Sequence, residues 1–142
     1  MLEIKIRPYY EADRNSVINL WNQVFPGTSI GHNDPATMID QKNSIGDSLL
    51  LVAEKSGETV GTVMGGWDGH RGWIYALAVA PTHQRQGIGR ILVQRIEKEL
   101  AHRGCPKINL QVRADNEAVV SFYQALGYET EPRISMGKLL AD

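Results

Sequence analysis

Residues 2–7 (LEIKIR) alternate Leu or Ile with charge, the period of a half-buried strand, and Pro8 closes the run. Val17, Leu20, Trp21 and Val24 then recur at steps of three and four, which predicts a helix over about residues 11–25, ended by Pro26-Gly27. Asp34 before Pro35 is an N-cap acceptor with proline at the first helical position, so a second helix is expected to about Ile45. Its apolar face is thin (Ala36, Met38, Ile39, Ile45), a pattern that suits a movable cover. Residues 48–55 and 59–65 read as two strands of a hairpin around Ser56-Gly57, and Gly65-Gly66 marks a bend or bulge. A second turn at residues 68–72 leads into the apolar run 73–80, short enough for a buried strand, which Pro81-Thr82-His83 breaks.

Ile88, Ile91, Leu92, Ile96 and Leu100 form the next helical stripe, which Arg103-Gly104 stops. Residues 107–112 (KINLQV) alternate as a strand. Val119, Phe122, Tyr123 and Leu126 share one face of a helix over 116–126, and residues 134–140 read as a last strand, with one more short strand at 128–131. The order is β-α-α-β-β-β-α-β-α-β. Short turns make antiparallel neighbours, whereas the helix after Gly87 makes the following strand parallel. The expected fold class is therefore α/β (α+β), a mixed, mostly antiparallel central sheet of six to seven strands with helices on both faces.

At 142 residues the chain is expected to form a single domain over 1–142. A chain of this size buries roughly two-thirds of its unfolded surface and needs no staple of disulfides or metal. The single cysteine, Cys105, fits a reducing cytoplasm, and with no partner histidine beside it reads as a structural thiol. Fifteen basic and 16 acidic residues are interspersed, net charge −1, which argues against a nucleic-acid groove. No apolar run approaches a membrane span, and charges interrupt the N-terminus as no secretory signal does. His32, His70, His83 and His102 lack ligand spacings, so no metal is expected.

The chemistry concentrates where the apolar run 73–80 gives way to a basic, Gly-rich turn that opens a helix. The first amides of a helix have no intrahelical partner and sit at the positive end of its dipole, so an anion is welcome there. Gln84, Arg85, Gln86, Gly87, Ile88, Gly89 and Arg90 form that turn. It is not a Walker loop, for no Gly-Lys-Ser/Thr follows. It is not a dinucleotide fingerprint either, since Leu92 stands where the third glycine belongs. Gly87-x-Gly89 by itself suits any strand-to-helix turn.

The longer pattern is more telling. Val79-Ala80-Pro81, then Gln84-x-x-Gly87-x-Gly89, then an apolar helix resembles the acetyl-CoA signature of the GNAT superfamily of N-acetyltransferases. Asn116-Glu117-Ala118 and the run 122–128 (FYQALGY) resemble the family's second motif, and the likeness covers almost the whole chain. Within the family, residues 67–72 and 101–108 are similar to small bacterial members.

This resemblance implies an acetyl-CoA-dependent N-acetyltransferase. It would move the acetyl group from the thioester to a primary amine by direct transfer in a ternary complex, with a homodimer as the assembly to expect. Residues 84–90 would hold the pyrophosphate. The backbone of Leu77, Ala78 and Val79 would pair with the peptide-like pantetheine arm. Asn116 matches the family residue that contacts the arm, and is equally an N-cap. Tyr123 is the expected general acid, since a phenol is protonated at neutral pH and can donate to a leaving thiolate; by spacing alone it is a core aromatic.

The base departs from the family, some of whose members carry a Glu where this chain has Trp73. Glu54, Asp68, His70, or Tyr75 through a water are the alternatives, each with an ordinary structural reading. His32, Asp34, Asp68 and Tyr75 are expected around a cationic acceptor. Two other functions stand beside the enzyme: a non-catalytic acyl-CoA-binding sensor or interaction module that kept the cradle, and a different nucleotide-binding fold.

Overall fold

The computed structural model describes residues 3–25 and 31–140. Two compact units divide the chain, Met1–Gln111 and Val112–Asp142.

In the first unit, β1 (Ile4–Pro8), β2 (Leu50–Lys55), β3 (Glu58–Trp67), β4 (Gly72–Val79) and β5 (Ile108–Leu110) form one sheet in the order β1-β2-β3-β4-β5. The first three pairings are antiparallel, and β4 with β5 is parallel. β2 is buried on both faces over Leu50–Ala53, as its unbroken apolar run requires.

One face is covered by α1 (Arg14–Val24) and α2 (Pro35–Ile45), whose Val17, Leu20, Trp21 and Ile39 pack with Leu50, Val52, Met64 and Ala78. The other carries α3 (Ile88–His102), whose stripe of Ile88, Leu92, Ile96 and Leu100 is fully buried. At Gly65 the approach is so close that a Cβ would stand 2.6 Å from Ile96 Cγ1. The helix lies down on the sheet because that side chain is missing.

α2 starts as its sequence predicts. Asp34 accepts from the Thr37 amide at 3.1 Å, Pro35 follows, and Gly46 ends the helix in the left-handed conformation. The thin apolar face nevertheless anchors firmly: Ile39 is fully buried, and Lys42 is buried with its ammonium on Asp47 and the Gly65 carbonyl. Arg7 ties three elements at the other edge, bonding Asp13 through both carboxylate oxygens and Glu54 at 3.0 Å.

In the second unit, α4 (Glu117–Ala125) is capped by the Asn116 side chain, which accepts from the Val119 amide at 3.2 Å. Tyr123 is buried and meets Phe122 and Tyr128 edge to face.

Two expectations are corrected. The described residues hold five strands, not six or seven: 128–131 and 134–140 take no regular structure. Alternation supplies an apolar face, but a strand exists only through ladder bonds to a neighbour, and here Ile134, Met136, Leu139 and Leu140 are exposed. Gly65-Gly66 is no bulge; both residues pair in register with Ile74 and Trp73. The bulges fall instead at Val60, an extra residue on β3, and at Ala76-Leu77 on β4, two residues facing Val63. Among the described residues no helix is long and apolar enough to cross a membrane.

Candidate functional site

The bulge on β4 is held by a buried polar relay. Ala76 sits at φ +52°, a left-handed conformation unusual for a residue with a Cβ. Its carbonyl accepts from the Thr62 hydroxyl at 2.9 Å, and that hydroxyl accepts from the Trp21 indole N–H at 2.8 Å. Thr62 is fully buried. Every polar group of the relay is satisfied, so the strain at Ala76 is fixed from outside the strand.

Just beyond Ile74 the sheet opens. β5 pairs with Gly72, Trp73 and Ile74 only, so the β5-side edge of β4 has no ladder partner from Tyr75 through Val79 among the described residues. Leu77, Ala78 and Val79 lie on this stretch. Such an edge is a row of backbone groups ready for an extended, peptide-like ligand.

The strand runs directly into the Gly-rich turn. Pro81–His83 makes one 3-10 turn, and Gln84 donates back to the Val79 carbonyl at 3.2 Å, while Lys55 reaches Gln86 at 3.1 Å. Arg85 (φ +64°) and Gly87 (φ +82°) are both left-handed, and Gly87 is the N-cap of α3 without a side-chain cap. The first intrahelical bond runs from the Ile91 amide to the Gly87 carbonyl, leaving the amides of Ile88, Gly89 and Arg90 without intrahelical acceptors. Ile88 itself is buried as the first core residue of the helix, while Arg85 and Arg90 are exposed at the rim. Amides without intrahelical acceptors at a helix start have the geometry that suits an anion.

On the α2 side of the sheet, before the bulge, lies a pocket of about 450 Å³. Trp73 and Tyr75, on one face of β4, wall it together with Trp67, Asp68 and the Lys42–Asp47 pair. The Tyr75 hydroxyl lies over Gly66, 3.0 Å from where a Cβ would stand, with Lys42 Nζ 3.9 Å from the same point. Burial, and then the charges of Asp47 and Asp68, push the Tyr75 phenol up from its usual pKa. Asp68 is held below the carboxylate range by the Arg71 and His70 amides, 2.8 Å each, with a further hydrogen bond from the Trp73 side chain.

The remaining sequence-predicted residues fall elsewhere. Glu54 is bound by Arg7 on β2, two strands from β4, so its carboxylate is committed to an ion pair. Asp34 spends its carboxylate capping α2, taking both the amide and the hydroxyl of Thr37. His32 is exposed in the 3-10 turn Gly31–Asn33; neither it nor Asp34 lines the pocket. His70 is an exposed turn residue. Pro26-Gly27, expected to end the first helix, and residues 28–30 lie outside the described residues. Asn116 and Tyr123 belong to the second unit, where burial alone raises the Tyr123 phenol to about 12.

Sequence reasoning missed Thr62 and Trp21, Trp67 and the Lys42–Asp47 pair. A buried threonine in a strand and a tryptophan on a helix face look like ordinary core. Only the backbone turn at Ala76 gives their hydrogen bonds a purpose.

Comparison with known proteins decides what this strand–turn–helix belongs to. The model of the acetyltransferase (GNAT) family matches residues 14–128. This chain is a member of the GNAT acetyltransferase family. An acetyltransferase of Pectobacterium atrosepticum is 45% identical over 139 residues, covering 98% of this chain and 97% of the relative. One from Yersinia enterocolitica is 44% identical over 137 residues, 96% of each chain.

The GNAT fold is recovered in solved structures as well. An aminoglycoside N-acetyltransferase in complex with CoA aligns at TM-score 0.79 and 18% identity, over 99% of this chain and 97% of its own. A PaiA N-acetyltransferase from Thermoplasma acidophilum in complex with coenzyme A aligns at 0.79 and 19%, over 93% of each. At such identities the likeness concerns the fold.

Proposed function

We propose that this GNAT-family N-acetyltransferase takes acetyl-CoA as donor and transfers its acetyl group directly to a primary amine in a ternary complex. The observation that carries the reading is the continuity of the open β4 edge with the uncapped start of α3. A long ligand with a peptide-like arm and a pyrophosphate needs those two features in that order. Acetyl-CoA brings an activated acyl group, a thioester, to the bulge.

The amides of Ile88, Gly89 and Arg90, with Arg85 and Arg90 at the rim, bind the pyrophosphate. Leu77 and Val79 pair their backbone with the arm, and Gln84 holds the turn closed behind them. The bulge at Ala76-Leu77 turns a backbone amide toward the developing oxyanion, where a fixed donor is worth most. The amine enters from the Trp73–Tyr75 pocket. Its nitrogen forms the new C–N bond as the C–S bond breaks. By the family resemblance, the thiolate takes its proton from Tyr123, whose raised pKa keeps the phenol protonated across the working range, and Asn116 contacts the arm.

Glu54 is occupied by Arg7, and Asp47 by Lys42. The amine therefore surrenders its proton to water reached past Tyr75, and the rate climbs with pH until the amine is neutral. We read both units as one acetyltransferase domain, a reading supported by the family match running through their boundary at residues 111–112.

Titration of the purified protein with acetyl-CoA, with ATP and NAD as controls, tests the reading, followed by thiol release in the presence of amines. Selective acetyl-CoA binding with amine-dependent thiol release is expected. Absence of binding overturns it.

A further inference from the structure

The pocket on the α2 side imposes two opposite demands on an acceptor. The nitrogen that attacks must be neutral when it reaches the bulge. Yet the far end of the pocket is built for a cation. Asp68 sits there with its charge fixed by three donors, and among the described residues no lysine or arginine pairs with it. The one cation within the walls, Lys42, is spent on Asp47 at 2.8 Å and on the Gly65 carbonyl. The walls beside Asp68 are the indoles of Trp67 and Trp73, the ring faces that best attract an ammonium.

A single nitrogen cannot satisfy both ends; two nitrogens on one molecule can. From Tyr75, next to the bulge, to the turn that carries Asp68 is two to three residues along β4, roughly 7–10 Å at the rise of a strand. The space between is lined by apolar and aromatic surface, with Ile45 at its margin.

Resting on the acetyltransferase reading above, we propose that the acceptor is a linear aliphatic diamine or polyamine. Its reacting amine lies at Tyr75 and the bulge, and its second, charged ammonium lies between Trp73, Trp67 and Asp68. The reaction stays balanced as before: the neutral end gains the acetyl group and loses a proton, and the distal ammonium keeps its proton throughout.

The test compares the diaminoalkanes from diaminopropane to diaminooctane with the n-alkylamines of equal length, by CoA thiol release. Acetyl-CoA affinity is measured by titration on the same samples. Wild-type protein is expected to prefer the best diamine by about tenfold or more in kcat/KM, mostly through KM, as lost ground-state binding would show. The preference should peak at one chain length. In Asp68→Asn, which keeps an acceptor for the turn amides, it should collapse to within about twofold. Trp73→Leu, which keeps the Asp68 carboxylate and its two backbone donors, should weaken it too, so the outcome does not hang on one variant's folding.

Equal use of monoamines and diamines by wild-type protein, or a preference that survives both variants, overturns the inference while leaving the acetyltransferase reading standing. Failure of acetyl-CoA to bind at all would overturn the underlying reading, and this inference with it.

Discussion

At the scale of single residues, Thr62 does more than fill the core. Its hydroxyl is the only link between the Trp21 indole and the Ala76 carbonyl in the relay, and it sits where no water competes. Thr62→Val keeps the shape and removes the link. Two buried polar groups are then orphaned, at about 1–3 kcal/mol for each group left unsatisfied. A total of about 2–6 kcal/mol corresponds to a fall in Tm of roughly 6–24 °C for a chain of this size. Losing the left-handed turn at Ala76 would also shift the following residues to the other face of the strand. Acetyl-CoA affinity should therefore drop by about tenfold or more, and Thr62→Ser should restore most of it; calorimetric titration beside thermal unfolding separates the two effects. An unchanged affinity in Thr62→Val would show that the bulge holds without its clamp. Gly87→Ala acts on the other end of the same site. A Cβ meets no atom there, so the cost is the left-handed backbone alone, about 1–2 kcal/mol. Any rearrangement that relieves it must disturb the anion cradle, so weaker acetyl-CoA binding is expected, again read by titration.

At the scale of elements, α3 lies close to the sheet where Gly65 has no side chain, as Gly61 has none beneath Leu92. Gly65→Ala should cost about 1–3 kcal/mol by overpacking against Ile96. Ile96→Ala alone opens a cavity and costs about 2–5 kcal/mol. The double variant should be more stable than the sum of the two, because each relieves the other; denaturant unfolding of all four proteins measures that coupling. An additive pair would mean that the helix simply lifts away. The same residue marks how far the sequence could be read. Period and turn chemistry placed β1 to β5 and α1 to α4 within a few residues, since each has a one-sided apolar pattern or an unbroken apolar run and a clear stop. The strand–turn–helix that carries the proposed cradle was legible because Gly87 and the start of the α3 stripe are local facts. Gly65-Gly66 was misread, because a strand glycine looks the same whether it bends the chain or admits a helix. The opening between β4 and β5 was invisible, for it depends on where a ladder ends. Residues 134–140 alternate like a strand yet form none here, since a strand's existence lies with its neighbour. Glu54 and Asp34 had the right chemistry to be chosen, and nothing in the sequence announced that Arg7 and the α2 cap would claim them.

At the scale of the molecule, the Arg7 cluster sets how the protein meets acid. Arg7 binds β1 to the turn before α1 and to β2, so one side chain holds three separate stretches of chain. The Arg7 guanidinium, opposed by burial and aided by the Tyr10 amide, keeps the Asp13 carboxyl below the usual carboxylate range. Because the folded state binds that proton less readily than the unfolded chain, the contribution is fully present above the unfolded pKa, near 4. It is lost as pH falls through the lower folded value. Arg7, whose pKa is raised above its already high usual value, stays charged throughout. Protonating Asp13 therefore leaves the largely buried Arg7 cation with Glu54 as its remaining carboxylate partner, and stability should decline as pH falls below about 5. Asp13→Asn imposes that condition at every pH. At neutral pH it should cost about 3 kcal/mol at most, the low end for a broken buried pair because Arg7 keeps Glu54 and some exposure, and its acid limb should be flatter than that of the wild type. Urea unfolding at a series of pH values checks both. Parallel acid limbs in the two proteins would move the origin of acid sensitivity away from this cluster and onto the other carboxylates. Acetyl-CoA affinity in Asp13→Asn, measured where the variant is folded, should match the wild type, since the cluster lies at the edge of the sheet away from β4.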